Sequence, residues 1–205
     1  MSYHGSVRTL LGGLALAAAL LVPGRAQVIE FESNGLKYQT LTRSGVTVMW
    51  ASLAMQLHEY AIIQVAVSNG SGGPYVIRPE DFTFVRTDGT AIKASPARNV
   101  VTMFYQKGSG TDVIKLVTAY EASVYGNPNL KSTNGYEFRR QGALAMTSTR
   151  VKAAATASAL AMVQTKLMPG ESTDGAVFFP TDGRPMGPGH LVVRTNTDVF
   201  NFGTN

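Results

Sequence analysis

Apolar and polar positions alternate through the first half of the chain and switch to helical spacing after about residue 95. Leu36 to Leu41 alternates and is rich in β-formers. Gly45 opens a second run, Val46-Thr47-Val48-Met49-Trp50, and Tyr60 to Val67 is a β-branched third. That run stops at Ser68-Asn69-Gly70-Ser71-Gly72-Gly73-Pro74, a dense cluster of loop formers. Tyr75-Val76-Ile77 reads as a short strand and Pro79-Glu80-Asp81 as a turn. Phe82 to Val85 then leads through Asp88-Gly89, where glycine accepts positive φ, to a return strand at Ala91-Ile92.

From Ser95 the apolar period lengthens. Pro96 followed by Val100, Val101 and Phe104 predicts a short helix ending at Gly108-Ser109-Gly110. Thr111 or Asp112 can cap the next one, whose stripe is Val113, Leu116, Val117, Tyr120 and Val124. Gly126-Asn127-Pro128 stops it. Phe138 to Lys166 then contains no proline and one glycine, and its centre is dominated by alanine. After Pro169-Gly170, β character resumes in Ala176 to Phe179, Leu191 to Arg194 and Val199 to Phe202. Neighbouring Phe178 and Phe179 must face opposite ways in a regular strand, so one of them is expected to be exposed or to lie under the helical block.

Seven or so short strands separated by turn signals predict a mainly β fold, an antiparallel sandwich. Two or three helices interrupt it at about 96–166, a stretch too long for an ordinary connection. The expectation is one domain over 27–205 with a helical insertion between central strands.

Several segments carry a family resemblance. Asn69, Arg78-Pro79-Glu80-Asp81-Phe82 and Asp88-Gly89 form one half of it. Leu167-Met168-Pro169-Gly170-Glu171-Ser172 with Gly175-Ala176-Val177-Phe178-Phe179-Pro180 forms the other. Together these resemble bacterial extracytoplasmic immunoglobulin-like domains of the telokin-like kind, over about residues 36–94 and 167–203. The helical block departs from that pattern, which has a much shorter connection there. The resemblance implies a fold and a compartment, and no catalytic set or cofactor.

The amino terminus sets the expected compartment. Arg8 precedes an apolar run from Leu10 to Val22, short for a membrane span, and Pro23 ends it. Gly24-Arg25-Ala26 places small residues at −3 and −1 for cleavage before Gln27. Residues 1–26 therefore read as a Sec-type signal peptide, with the mature chain in the periplasm or outside the cell. The absence of cysteine excludes disulfides and thiolate metal sites, and suits a bacterial envelope protein better than a secreted animal domain. With Arg8 and Arg25 removed, 16 basic side chains face 13 acidic ones, a net +3 that does not argue for nucleic acid. No later apolar run approaches the length of a spanning helix.

Chemistry-bearing motifs are sparse. Only His58 and His190 follow the leader, at spacings that match no zinc motif, so no metal or cofactor is expected. Gly108-Ser109-Gly110 lacks the flanking residues of a nucleophile elbow. A hydrolase would have to bring His58 or His190 to a serine and an acid by folding alone. Asn69-Gly70-Ser71 fits the glycosylation pattern but reads more simply as a hairpin loop. Trp50, Phe82, Phe84, Phe178, Phe179, Phe200 and Phe202 are expected mostly in the core rather than on a sugar-stacking face. The chain is accordingly read as a non-catalytic binding module acting on a protein partner or on itself. Its expected interaction surface is the helical stripe Val113, Leu116, Val117, Tyr120 and Val124 with the pair Arg139 and Arg140, unless the helical block only covers one face of a sheet, in which case the stripe is fully buried. The alternative is a structural subunit or accessory factor of a cell-surface or secretion assembly, joined through open sheet edges.

Overall fold

The computed structural model describes residues 27–128, 130 and 134–203; the expected signal peptide lies outside them. The chain begins with a meander: β1 (Ile29–Ser33), β2 (Leu36–Arg43), β3 (Val46–Leu57) and β4 (Tyr60–Asn69). The first two hairpins turn on Asn34-Gly35 and Ser44-Gly45, each with positive φ at both residues, the geometry whose twist matches paired strands. After β5 (Tyr75–Ile77) come β6 (Phe82–Arg86) and β7 (Ala91–Lys93), joined as expected through Gly89 at φ +85°. Four helices follow: α1 (Ala97–Lys107), α2 (Gly110–Tyr125), α3 (Tyr136–Leu144) and α4 (Thr149–Leu160). The chain closes with β8 (Thr165–Leu167), β9 (Ser172–Pro180), β10 (Gly189–Arg194) and β11 (Val199–Asn201).

Among the described residues the named strands all pair antiparallel, and one isolated parallel bridge joins Ala161 to Ala176. One sheet runs β1-β2-β3-β4-β9, the second β11-β10-β6-β7, and β5 pairs with β8 in a small third. The expected β-sandwich with a helical insertion is the observed fold. Among the described residues it carries four α-helices rather than two or three, because the proline-free stretch from Phe138 breaks at Ala145–Ser148. The insertion also ends sooner than 166: α4 stops at Leu160, and Thr165–Leu167 is drawn into strand pairing with β5.

The five-stranded sheet is buried on both faces along β4 and β9. Ala61, Ile63, Val65, Val67, Val177 and Phe179 point into an apolar core shared with the four-stranded sheet. Tyr60, Ile62, Ala176 and Phe178 point the other way, into a second core with Phe104, Leu116, Tyr120 and Leu160 of the helices. Phe178 thus lies under the helical layer, while its neighbour Phe179 fills the sandwich. Phe82, Phe84, Phe200 and Phe202 are buried as well, and only Trp50 of the seven aromatics stays partly exposed.

The alanines of α4 permit the tight helical packing. α4 lies against α1, α2 and α3, with Ala153 and Ala157 fully buried. Asn69 is fully buried too. Its side-chain amide donates to Gly73 O at 2.8 Å and Leu167 O at 3.1 Å, so it clamps the loop and is not available as a glycan acceptor.

Candidate functional site

Where α4 ends against the start of β9, an open cleft of about 730 Å³ separates the helical layer from β8 and β9. Asn134, Arg139 and Ser158 stand on its helical wall, and Lys166, Thr173 and Asp174 on its sheet wall. A smaller hollow of about 340 Å³ continues over β2, β3 and β4 past Thr40, Thr47 and Met49, and shares Thr173 and Asp174 with the first. The lining is mixed in charge and rich in hydroxyls.

Asp174 is the carboxylate at the junction of the two hollows, and it is 4% exposed. It sits one step outside the apolar run of β9, on the face shared with Ala176 and Phe178, and so points toward the helices. The Tyr120 hydroxyl donates to it at 2.5 Å, and the Asn134 amide donates to its backbone carbonyl at 2.5 Å. Burial first, and then the Asp174 charge, hold the Tyr120 phenol well above its ordinary value, so Tyr120 remains a donor. The Tyr136 ring packs edge-on against Tyr120 with centroids 4.9 Å apart, and its hydroxyl donates to Glu121 at 3.2 Å. Burial and then Glu121 push that phenol up too.

The residues expected to form an interaction surface are placed otherwise. Val113, Leu116, Tyr120 and Val124 are buried against the five-stranded sheet and Val117 is half-buried. The stripe is therefore the packing face of α2 and offers no surface. The physical reason is that an amphipathic stripe covers whichever apolar face lies nearest, and here that is the outer face of the chain's own sheet.

Arg139 and Arg140 are also engaged within the molecule. Arg139 reaches the carboxy-terminal end of α4 and donates to Ala159 O through Nε at 3.2 Å and Nη2 at 2.9 Å. That arrangement satisfies a carbonyl left over at a helix end and opposes its partial negative charge. A third contact runs from Arg139 Nη1 to Asn134 O. Arg140 pairs with Glu121 at 3.1 Å. Of the expected set only Arg139 lines the cleft.

The two histidines are separated by the architecture. His190 lies on β10 of the four-stranded sheet, whereas His58 occupies the β3–β4 turn at φ +53°. His58 Nε2 is 2.9 Å from Asp112 Oδ2, and the Ser109 hydroxyl and backbone N–H each donate to the same oxygen at 2.8 Å. Serine, acid and histidine do meet here, but the serine is bonded to the carboxylate and not to the imidazole. Nucleophile activation requires the opposite wiring. Ser109 is the N-cap of α2 and Asp112 closes its capping box, a correction to the expected cap at Thr111 or Asp112. Among the described residues no three His, Asp or Glu side chains gather as a metal site would require.

Sequence reasoning missed Asp174, Asn134 and Lys166 as neighbours. One signal was present: Asp174 precedes Gly175-Ala176-Val177-Phe178 at even spacing from Phe178, so a strand extended backward by two residues places a carboxylate on the buried face. Nothing in the spacing links Asn134 or Lys166 to it.

No family model and no curated protein matches the sequence. Among solved structures, the crystal structure of the yjhA protein from Bacillus subtilis is similar at 8% identity and a TM-score of 0.32. The match covers 80% of this chain and 76% of that one, a likeness too slight to support any inference about fold or function.

Proposed function

We propose that this protein is an exported, non-catalytic binding module of the cell envelope, and that its ligand seats in the cleft between α4 and β8–β9. The observation that carries the reading is the cleft itself, about 730 Å³ of open space with a mixed polar and apolar lining. It exists because the helical insertion stacks beside the edge of β9. Concave sites at the junction of two packed units are the usual place for ligands. The wiring of Ser109 to Asp112 rather than to His58 favours binding over hydrolysis. The apolar run from Leu10 to Val22 and the small residues before Gln27 support export, as does the resemblance to extracytoplasmic immunoglobulin-like domains.

The test pairs two measurements. Amino-terminal sequencing of the protein from the envelope fraction should begin at Gln27; an intact leader would count against export. Affinity capture from the same fraction should then compare the wild-type protein with Ser158→Trp, which fills the cleft from an exposed helix position. Ligand retained by the first and lost from the second supports the cleft. Equal capture by both removes it.

A second reading, an assembly subunit, is favoured by one feature. Among the described residues β1 has a partner on one side only, and Ile29 on it is 60% exposed. Open edges template pairing with another chain. Light scattering across a concentration series should show growing oligomers in that case, and a monomer throughout would end it.

A further inference from the structure

The helical layer joins the sandwich along a single line. Ser95, just before α1, donates its N–H to Phe178 O at 2.8 Å. Met162, just after α4, donates to Ala176 O at 2.8 Å. The insertion therefore leaves and returns at neighbouring positions on the outer edge of β9, and no strand of either main sheet threads it. The rest of the layer is held by the second apolar core, by the Tyr120–Asp174 bond and by further polar contacts. Tyr38 OH donates to Ser123 O at 2.6 Å, Ser33 Oγ donates to Gly126 O at 2.8 Å, and His58 meets Asp112 at 2.9 Å.

Beneath the layer lies a group that burial does not suit. Gln64 is 0% exposed, and neither its amide nitrogen nor its amide oxygen has a hydrogen-bond partner. Alternation with Ile62 turns it toward the helices, and its cross-strand neighbours Ala51 and Ala176 offer no side-chain polar group. A carboxamide buried without partners favours any state in which water reaches it.

We propose that the helices α1, α2, α3 and α4 act together as a hinged cover. They open as a unit about the β9 edge while the sandwich stays folded, hydrating Gln64 and baring the apolar sheet face of Leu53, Leu57, Tyr60, Ile62 and Phe178. Cooperative openings below the global unfolding energy follow such contiguous units.

Backbone amide hydrogen exchange in a series of sub-denaturing urea concentrations tests this. Amides of the four helices should share one opening, with protection at least ~10-fold below that of β3, β4 and β9. The Gln64→Met variant should raise helical protection by about tenfold or more, because the solvation gained on opening is gone. A single opening shared by helices and sandwich overturns the proposal, as does reduced helical protection in Gln64→Met. Should that variant fail to fold, the wild-type exchange pattern decides alone.

Discussion

The Tyr120 hydroxyl, carried by α2, donates to the buried carboxylate of Asp174 on β9 at 2.5 Å. It ties the helical layer to the sheet at the inner wall of the cleft. A hydrogen bond to a desolvated carboxylate is worth more than one between neutral groups. Tyr120→Phe keeps the ring and its packing on Tyr136 but removes this donor. The expected loss is about 1–3 kcal/mol in urea unfolding. A change within a few tenths would show that the bond contributes nothing net.

Gly175 and Met162 define a second junction. A Cβ built on Gly175 would stand 2.7 Å from Met162 Cα and 2.8 Å from Met162 N, with backbone rather than a flexible side chain in the way. The segment leaving α4 lies flat on β9 because residue 175 has no side chain. Gly175→Ala should therefore cost on the order of 1–3 kcal/mol and disturb the return path of the insertion. Thermal unfolding reads the cost. An unchanged midpoint would mean that the segment can lift away freely.

The distribution of apolar residues made much of this fold legible. Period-two runs marked most strands, and the opposite facing of Phe178 and Phe179 followed from strand geometry alone. The edge strand β1 went unread although Ile29-Glu30-Phe31-Glu32 alternates with period two, and in the fold it buries little. The α3–α4 break was also hidden: Ala145 to Ser148 contains neither glycine nor proline, and the turn depends on packing among the helices. Thr165–Leu167 continued a helical-looking stretch and became a strand only by pairing with β5. For the site, the stripe on α2 was correctly seen as apolar, but a stripe does not say what it covers. Here the chain supplies its own sheet. Asn134, Lys166 and Asp174 converge through tertiary folding, and short-range spacing carries no trace of that.

Phe178 and Phe179 offer a test of the two-core architecture at adjacent positions. Phe178 packs edge-on with Tyr60 and Phe104 at centroid distances of 5.9 and 6.4 Å, and Phe179 packs with Phe84 at 6.4 Å. Each truncation to alanine should cost about 3–5 kcal/mol. The local effects should differ. Phe178→Ala should raise hydrogen exchange in the helices, and Phe179→Ala in β6 and β10. Identical exchange patterns in the two variants would contradict separate cores.

The capping box at the start of α2 gives the molecule a defined acid response. Burial opposes ionisation of Asp112 more than any other single influence. The hydrogen bonds from His58 and Ser109 together outweigh it and hold the carboxyl below its ordinary value. A carboxyl whose value is lower folded than unfolded stabilises the fold wherever it is ionised. Its contribution is complete above about pH 4, the unfolded value, and fades as pH falls through the folded one. Asp112→Asn should therefore lower stability at neutral pH and flatten the acid limb of the stability profile. Ser109→Ala removes the cap and one of the donors, at a cost of about 1 kcal/mol. Urea unfolding from pH 7 down to pH 3 measures both effects. An acid limb of unchanged slope in Asp112→Asn would place the pH response of this protein on another carboxylate.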